Sequence, residues 1–297
     1  PEATVGATAT ITATVGSKSG TSKLTVGGEA FSLYVAGIQV TTQNMGKLAE
    51  LVAEKSDASM QRYLEDGMEI TFDGVRTLHL KNATVDVGNA TAQGMTFGID
   101  NLIVEIEGDC HVNSNNYHGI KLMRGATLTG SGSLTASGGL CGIAYDDGKA
   151  YPVTLHIDGI TVKATGKNYG IQGGANVHQN RLDIDHATVQ ADGGYGGIGY
   201  WHGGISLTGC TIVKPTGGII DGEHIKSGGS IAKSVLIQSS GLKGDVNRDG
   251  KVDISDIVAV INTIAGDTTY KATSDVNDDS KTDISDIVAI INIIAGE

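Results

Sequence analysis
The chain has 297 residues, with 44 glycines, 3 prolines and 13 aromatic residues. Its hydrophobic fraction of 39% suffices for a packed core, and its glycines follow no triplet, which excludes collagen. The net charge of -12 argues against nucleic acid or anionic lipid as the main partner, and no apolar run approaches the roughly 18 residues of a membrane span.

In chain order, residues 7–26 alternate Thr with small or apolar residues around a Gly/Ser/Lys turn, the pattern of a strand, a turn and a strand. The stretch GATATITATVGSKSGTSKLTV resembles the last two strands of bacterial group 2 immunoglobulin-like domains. The resemblance implies a cell-surface spacer, so residues 1–28 are expected to be a β-hairpin or the remnant of such a domain. The chain opens at Pro1 without Met and shows no leader, as a processed or truncated chain would. Residues 29–68 hold a strand candidate, FSLYVAGIQVT, and then an amphipathic segment from Lys47 to Leu64 with Leu48, Leu51, Val52 and Met60 at near-helical spacing. One helix or a helix pair there would cap the open end of a repeat stack.

Residues 69–240 repeat. A glycine followed by an apolar residue recurs at Gly94, Gly119, Gly142, Gly170, Gly197 and Gly218, at spacings of 25, 23, 28, 27 and 21 residues. Short alternating strands precede each pair. The period and the Gly/Asn/Asp corners predict a mostly β fold, a parallel β-helix of six or so turns; an antiparallel sandwich is the alternative. Cys110, Cys141 and Cys210 have no metal-type spacing and read as buried thiols, with a disulfide as the other reading.

The strongest signal is C-terminal. DVNRDGKVDISDIVAVINTIAG begins at Asp245 and DVNDDSKTDISDIVAIINIIAG at Asp275, identical at 17 of 22 positions. Each copy places oxygen side chains at loop positions 1, 3, 5, 9 and 12: Asp245, Asn247, Asp249, Asp253 and Asp256, then Asp275, Asn277, Asp279, Asp283 and Asp286. Position 7, Lys251 or Lys281, offers its carbonyl. This is the ligand spacing of a calcium loop, so two Ca²⁺ are expected. Position 12 is Asp rather than Glu. Position 6 is Gly250 in the first copy and Ser280 in the second, which should strain the second loop. An apolar helix follows each loop and none precedes it. This duplication over residues 244–297 resembles the dockerin domains of secreted polysaccharide-degrading systems. The resemblance implies two calcium ions, a small all-α domain and a cohesin-like partner, with Ile254-Ser255 and Ile284-Ser285 at the contacting positions.

The stretches FSLYVAGIQVTTQN, ITFDGVRTLHLKNATV and LHIDGITVKATGKNYGIQGG resemble bacterial secreted β-helix proteins described as carbohydrate-binding. That resemblance implies a right-handed β-helix, a secreted or cell-surface place in a bacterium, and a polysaccharide or glycan partner. Candidate sugar contacts are Tyr117, Tyr145, Tyr169, Tyr195, Tyr200, Trp201, His202 and Glu223, because sugars are held by aromatic faces beside carboxylates and imidazoles. Trp201, in a Gly-rich corner, is expected to expose one edge of its ring. No catalytic set is assigned. A polysaccharide lyase or a glycoside hydrolase remains an alternative through Asp146-Asp147, His202 and Lys226, or Lys121, Arg124 and Arg181; a purely structural adhesin stalk is another.

Overall fold
The computed structural model describes residues 8–25, 28–55, 61–146, 152–174, 179–241, 243–247, 251–267, 269–270, 273–277, 279 and 281–296. Asp147, Asp249, Gly250 and Ser280 lie outside the described residues, as does Met60. Strands β1 (Thr8–Val15) and β2 (Lys18–Thr25) pair antiparallel as a two-stranded sheet of their own.

Strands β3 (Ala30–Val35) and β4 (Ile38–Thr41) form a second hairpin, followed by α1 (Leu48–Lys55) and α2 (Gln61–Glu65). Helix α1 buries Leu48, Ala49, Val52 and Ala53 in one cluster with Met68 and Ile70. The amphipathic segment thus covers the first end of the core with its apolar stripe. Strand β5 (Glu69–Phe72) then turns back to start the repeat.

Five turns of three strands follow. They are β6 (Thr77–Lys81), β7 (Thr84–Asp86) and β8 (Met95–Phe97); β9 (Leu102–Glu107), β10 (Asp109–Ser114) and β11 (Ile120–Leu122); and β12 (Ala126–Gly130), β13 (Ser133–Gly138) and β14 (Cys141–Tyr145). After these come β15 (Thr154–Asp158), β16 (Thr161–Gly166) and β17 (Tyr169–Gln172), and then β18 (Arg181–Asp185), β19 (Thr188–Gly193) and β20 (Gly196–Gly199). Within the five turns first strands stack on first strands, second on second and third on third, and two further strands on each stack complete three seven-stranded sheets, here sheets 1, 2 and 3. The pairing between turns is parallel. The fold is a parallel β-solenoid, as the repeat predicts.

The register puts identical roles in columns. Met95, Ile120, Ile143, Ile171 and Ile198 pair in sequence through sheet 3 and all point inward, essentially without exposure. Leu78, Val104, Leu128, Ile157 and Ile184 do the same in sheet 1. The recurring glycine before each sheet 3 apolar residue has a steric cause. A Cβ on Gly142 would stand 2.6 Å from the Thr165 nitrogen and 2.7 Å from the Ala136 oxygen; one on Gly170 would stand 2.7 Å from the Asp192 nitrogen. Sheets 2 and 3 meet there backbone to backbone, and only glycine fits.

Antiparallel strands close both ends. Strand β5 pairs with β6, and β3 with β8. After β21 (Gly204–Thr208) and β22 (Cys210–Lys214), strand β26 (Ser234–Ser239) runs antiparallel between β19 and β22. The sixth glycine pair, Gly218-Ile219, does not continue the column. Ile219 begins β23 (Ile219–Asp221), which joins β24 (His224–Ser227) and β25 (Ser230–Ile231) in an antiparallel meander. Sheet 3 therefore ends one turn earlier than the spacing suggests. The C-terminal part holds α3 (Ile254–Ile264) and α4 (Ile284–Ala295), whose Ala259, Val260 and Ile290 pack with Val246 and Val276 in a separate small core. Among the described residues no helix is long and apolar enough to cross a membrane.

Candidate functional site
The two C-terminal loops are built alike. Asp253 caps α3 and Asp283 caps α4, each accepting from the backbone N–H of the following serine at 2.8 Å. Hydrogen bonds from Ser255 and Ser285 hold the two capping carboxyls below the usual carboxylate range. Asp256 and Asp286 are fully buried. Asp256 Oδ1 accepts from the N–H groups of Val246 and Asn247 at 2.8 and 3.1 Å, and Oδ2 from that of Asp253 at 2.9 Å; Asp286 repeats this with Val276, Asn277 and Asp283. One carboxylate thus ties the start of each loop to its helix.

The remaining donors fit a hard cation. Asn247 Nδ2 donates to Ser255 Oγ at 2.8 Å and Asn277 Nδ2 to Ser285 Oγ at 2.8 Å, which anchors each amide through its nitrogen and leaves the oxygen for the loop. In the second loop the Asp279 N–H donates to Asp275 Oδ1 at 3.1 Å and to Asn277 Oδ1 at 3.0 Å, so the chain curls around its own carboxylates. The N–H of Lys281 donates to Asp279 Oδ1, which leaves its carbonyl unengaged by that bond. An all-oxygen set of acids, amide and carbonyl is the chemistry calcium takes.

Both helices also carry an unburied apolar stripe. Ile254, Val258, Ile261 and Ile264 on α3, and Ile284, Val288, Ile291 and Ile294 on α4, are between 47% and 75% exposed. Their spacing of four, three and three residues puts each set on one helix face. The pattern that marked these helices in the sequence is therefore largely a surface, with the core on the opposite side. Residues 243–295 match the family model of the dockerin type I domain. No curated protein and no solved structure matches the chain. The dockerin accounts for the features just described: such domains bind calcium, dock to a cohesin partner, and are typical of extracellular or cell-surface proteins. Ser255 and Ser285, expected at the docking face, also serve the loop, each hydroxyl donating to the capping carboxylate.

On the solenoid the predicted sugar contacts separate. Trp201 is 0% exposed and lies in the main core, its ring in the space left by Gly173, where a Cβ would sit 2.7 Å from Trp201 Cδ2. The expectation of an exposed edge is corrected: Gly173 makes room for the indole from inside. Tyr145 pairs in register with Leu122, which follows Phe97, and completes an inward column. Tyr169 points outward but is buried with Cys141 and Ala144 under Tyr200 and Ile231. Its hydroxyl is pushed far above its ordinary pKa, first by burial and then by the Tyr200 hydroxyl.

Tyr200, His202 and Glu223 do meet. The Tyr200 ring lies 5.4 Å from that of Tyr169, 6.2 Å from that of His202 and 5.0 Å from that of His224. Glu223 contacts His202 Nδ1 and stands 3.5 Å from His224 Nδ1. This cluster fastens the β23–β25 meander to the outside of sheet 3. Burial pulls His224 below its ordinary pKa, against the attraction of Glu223. Three turns away burial does the same to His118, whose Nε2 is 3.8 Å from Asp146, while Lys121 pairs with Asp146 at 3.3 Å. All three cysteines are free, and burial pushes the Cys141 thiol up to about 11.

The other two tyrosines lie elsewhere. At the corner between sheets 2 and 3, the N–H of Leu140 donates to Tyr117 O, that of Asn168 to Leu140 O and that of Tyr195 to Asn168 O, at 2.8–3.1 Å. Tyr117, Leu140, Asn168 and Tyr195 therefore form one outward column, one residue per turn. Tyr195 is 68% exposed. Beside the column runs an open cleft of about 590 Å³ lined by Asn89, Asn113, Asn115, Asn116, Ser137 and Lys167, among others. The amides order one another: Asn113 Nδ2 donates to Asp86 Oδ1 at 2.8 Å and Asn115 Nδ2 to Asn89 Oδ1 at 3.2 Å. Sequence reasoning missed Asn89, Asn113, Asn115 and Leu140. The run Asn113-Ser-Asn-Asn116 was the available signal; that Asn89 falls alongside it depends on the length of one turn.

Proposed function
We propose that the solenoid is a carbohydrate-binding module of an extracellular or cell-surface adhesive protein, which the dockerin anchors to a cohesin-bearing partner. The observation that carries the sugar reading is the column Tyr117–Leu140–Asn168–Tyr195 beside the amide-lined cleft. Aromatic faces stack on sugar rings, and amides match paired hydroxyls. Three turns separate the two tyrosines, about 14 Å at strand spacing, which suits an extended chain rather than a single sugar. Tyr200, His202 and Glu223 contribute from the neighbouring sheet 3 surface. In the dockerin each loop holds one Ca²⁺, two in all, and the matching apolar stripes give one cohesin two equivalent ways to dock.

Affinity electrophoresis against a panel of polysaccharides tests the sugar reading. Tyr195→Ala and Tyr117→Ala should each weaken binding at least tenfold without moving the thermal midpoint, and monosaccharides should compete poorly. Retention of full binding by the double variant, or no retardation by any polysaccharide, would sink it.

A further inference from the structure
The outer face of sheet 1 carries polar and charged side chains at alternate positions, and several face a carboxylate. His79 Nδ1 lies 2.8 Å from Glu105 Oε2, Lys81 Nζ 2.7 Å from Glu107 Oε1, and Arg181 Nη2 3.1 Å from Asp183 Oδ1. One place breaks the pattern. Asp158 on β15 stands in register with Asp185 on β18. Two carboxylates thus stack across neighbouring strands about 4.8 Å apart, where like charges repel. His156 precedes Asp158 by two residues, on the same face of the same strand. One ligand atom from each of His156, Asp158 and Asp185 lies within 4.8 Å of the others, and all three residues are half-buried. The His156 and Asp158 side chains make no hydrogen bond or ion pair with another described residue, their backbones being held in the strand ladder. Asp185 Oδ1 is shut off from solvent; the His186 imidazole touches it but is not aligned as a hydrogen-bond donor.

We propose that His156, Asp158 and Asp185 hold a divalent transition-metal ion of the Zn²⁺ class. An imidazole with two carboxylates suits a borderline cation, whereas Ca²⁺ and Mg²⁺ take oxygen sets. A cation there replaces the repulsion of the stacked aspartates by attraction to both, and so clips two adjacent turns together. Three ligands on one face leave further coordination positions open. His156 also lines an open cleft of about 610 Å³ with Asp100, Arg124, Thr154 and Asp183, so water or a ligand can reach the ion. The chain then holds cation sites of two chemistries, the all-oxygen loops in the dockerin and one imidazole–carboxylate set on the solenoid.

The full chain, saturated with Ca²⁺ to fill the dockerin loops, is titrated with ZnCl₂ by calorimetry. One Zn²⁺ should bind, and His156→Ala, Asp158→Asn and Asp185→Asn should each weaken it at least tenfold. Zn²⁺ should raise the thermal midpoint of the wild-type solenoid and leave that of the Asp158→Asn variant unmoved. Without Zn²⁺, Asp158→Asn should melt no lower than wild type, because it removes repulsion and no contact. Co²⁺ in place of Zn²⁺ should show d–d absorption that His156→Ala abolishes, while His79→Ala keeps it. No Zn²⁺ uptake in the presence of Ca²⁺, wild-type affinity in all three variants, or loss of the Co²⁺ band only in His79→Ala would overturn the assignment.

Discussion

Replacing Trp201 by alanine tests whether this residue holds the solenoid together. The indole is wholly enclosed. About 200 Å² of buried surface at about 25 cal/mol per Å² corresponds to about 5 kcal/mol of transfer free energy. One term opposes it. Among the described residues Trp201 Nε1 is buried without a hydrogen-bond partner, and an unmet buried donor costs about 1–3 kcal/mol, which truncation returns. The net loss should be about 2–4 kcal/mol, or roughly a 5–15 °C fall in the midpoint for a unit of this size. Trp201→Phe keeps most of the ring and discards the orphan donor, so it should lie within about 1 kcal/mol of wild type. Urea unfolding followed by far-UV circular dichroism measures both, since the variants lack the sole tryptophan as a fluorophore. A cost below about 1 kcal/mol for alanine, or equal costs for the two variants, would refute the reasoning. Glycan titration of the wild type should leave the tryptophan emission unshifted.

Chelation by EGTA should remove a separate low-temperature calorimetric transition belonging to residues 244–297 and leave the solenoid transition in place; a single transition indifferent to chelator speaks against the calcium loops. Ile261→Asp or Ile291→Asp alone should lower cohesin affinity about twofold, because one docking orientation survives, whereas the double variant should lose at least a hundredfold; abolition by one single change excludes equivalent faces. Acidification should weaken the solenoid. His118 and His224 have folded-state pKa values below their ordinary value, so the unfolded chain binds more protons, and stability fully present above about pH 6.5 is lost as pH falls from there through the lower folded-state values. Urea midpoints measured between pH 7.5 and 5 should show this fall, and His118→Asn should flatten it.

Much of this molecule was legible in the sequence because one repeated turn gives each residue a fixed role. The glycine before each sheet 3 apolar residue marked the turns, and the same register explains why Ile120, Ile143, Ile171 and Ile198 share a column. The dockerin was legible because its whole loop-and-helix pattern lies within one short, duplicated segment. What the sequence hid is the direction of a side chain at a corner. Tyr195 and Trp201 are six residues apart in a Gly-rich stretch, yet one is exposed and the other is core. The decision rests on Gly173, a full turn away, which vacates the space the indole takes. Likewise His156, Asp158 and Asp185 are ordinary strand residues until the turn of 27 residues brings Asp185 beside Asp158.

The same register makes the solenoid a ruler. Its inner turns differ in sequence but not in how they stack, and its ends are closed by strands that belong to no turn. One inner turn can be cut out or copied, and the flanking turns still meet in register. Each such change alters the length of the solenoid by about 4.8 Å along its axis. Turn number can therefore set how far whatever is carried at the first end stands from the last turn, a distance open to adjustment by whole-turn duplication.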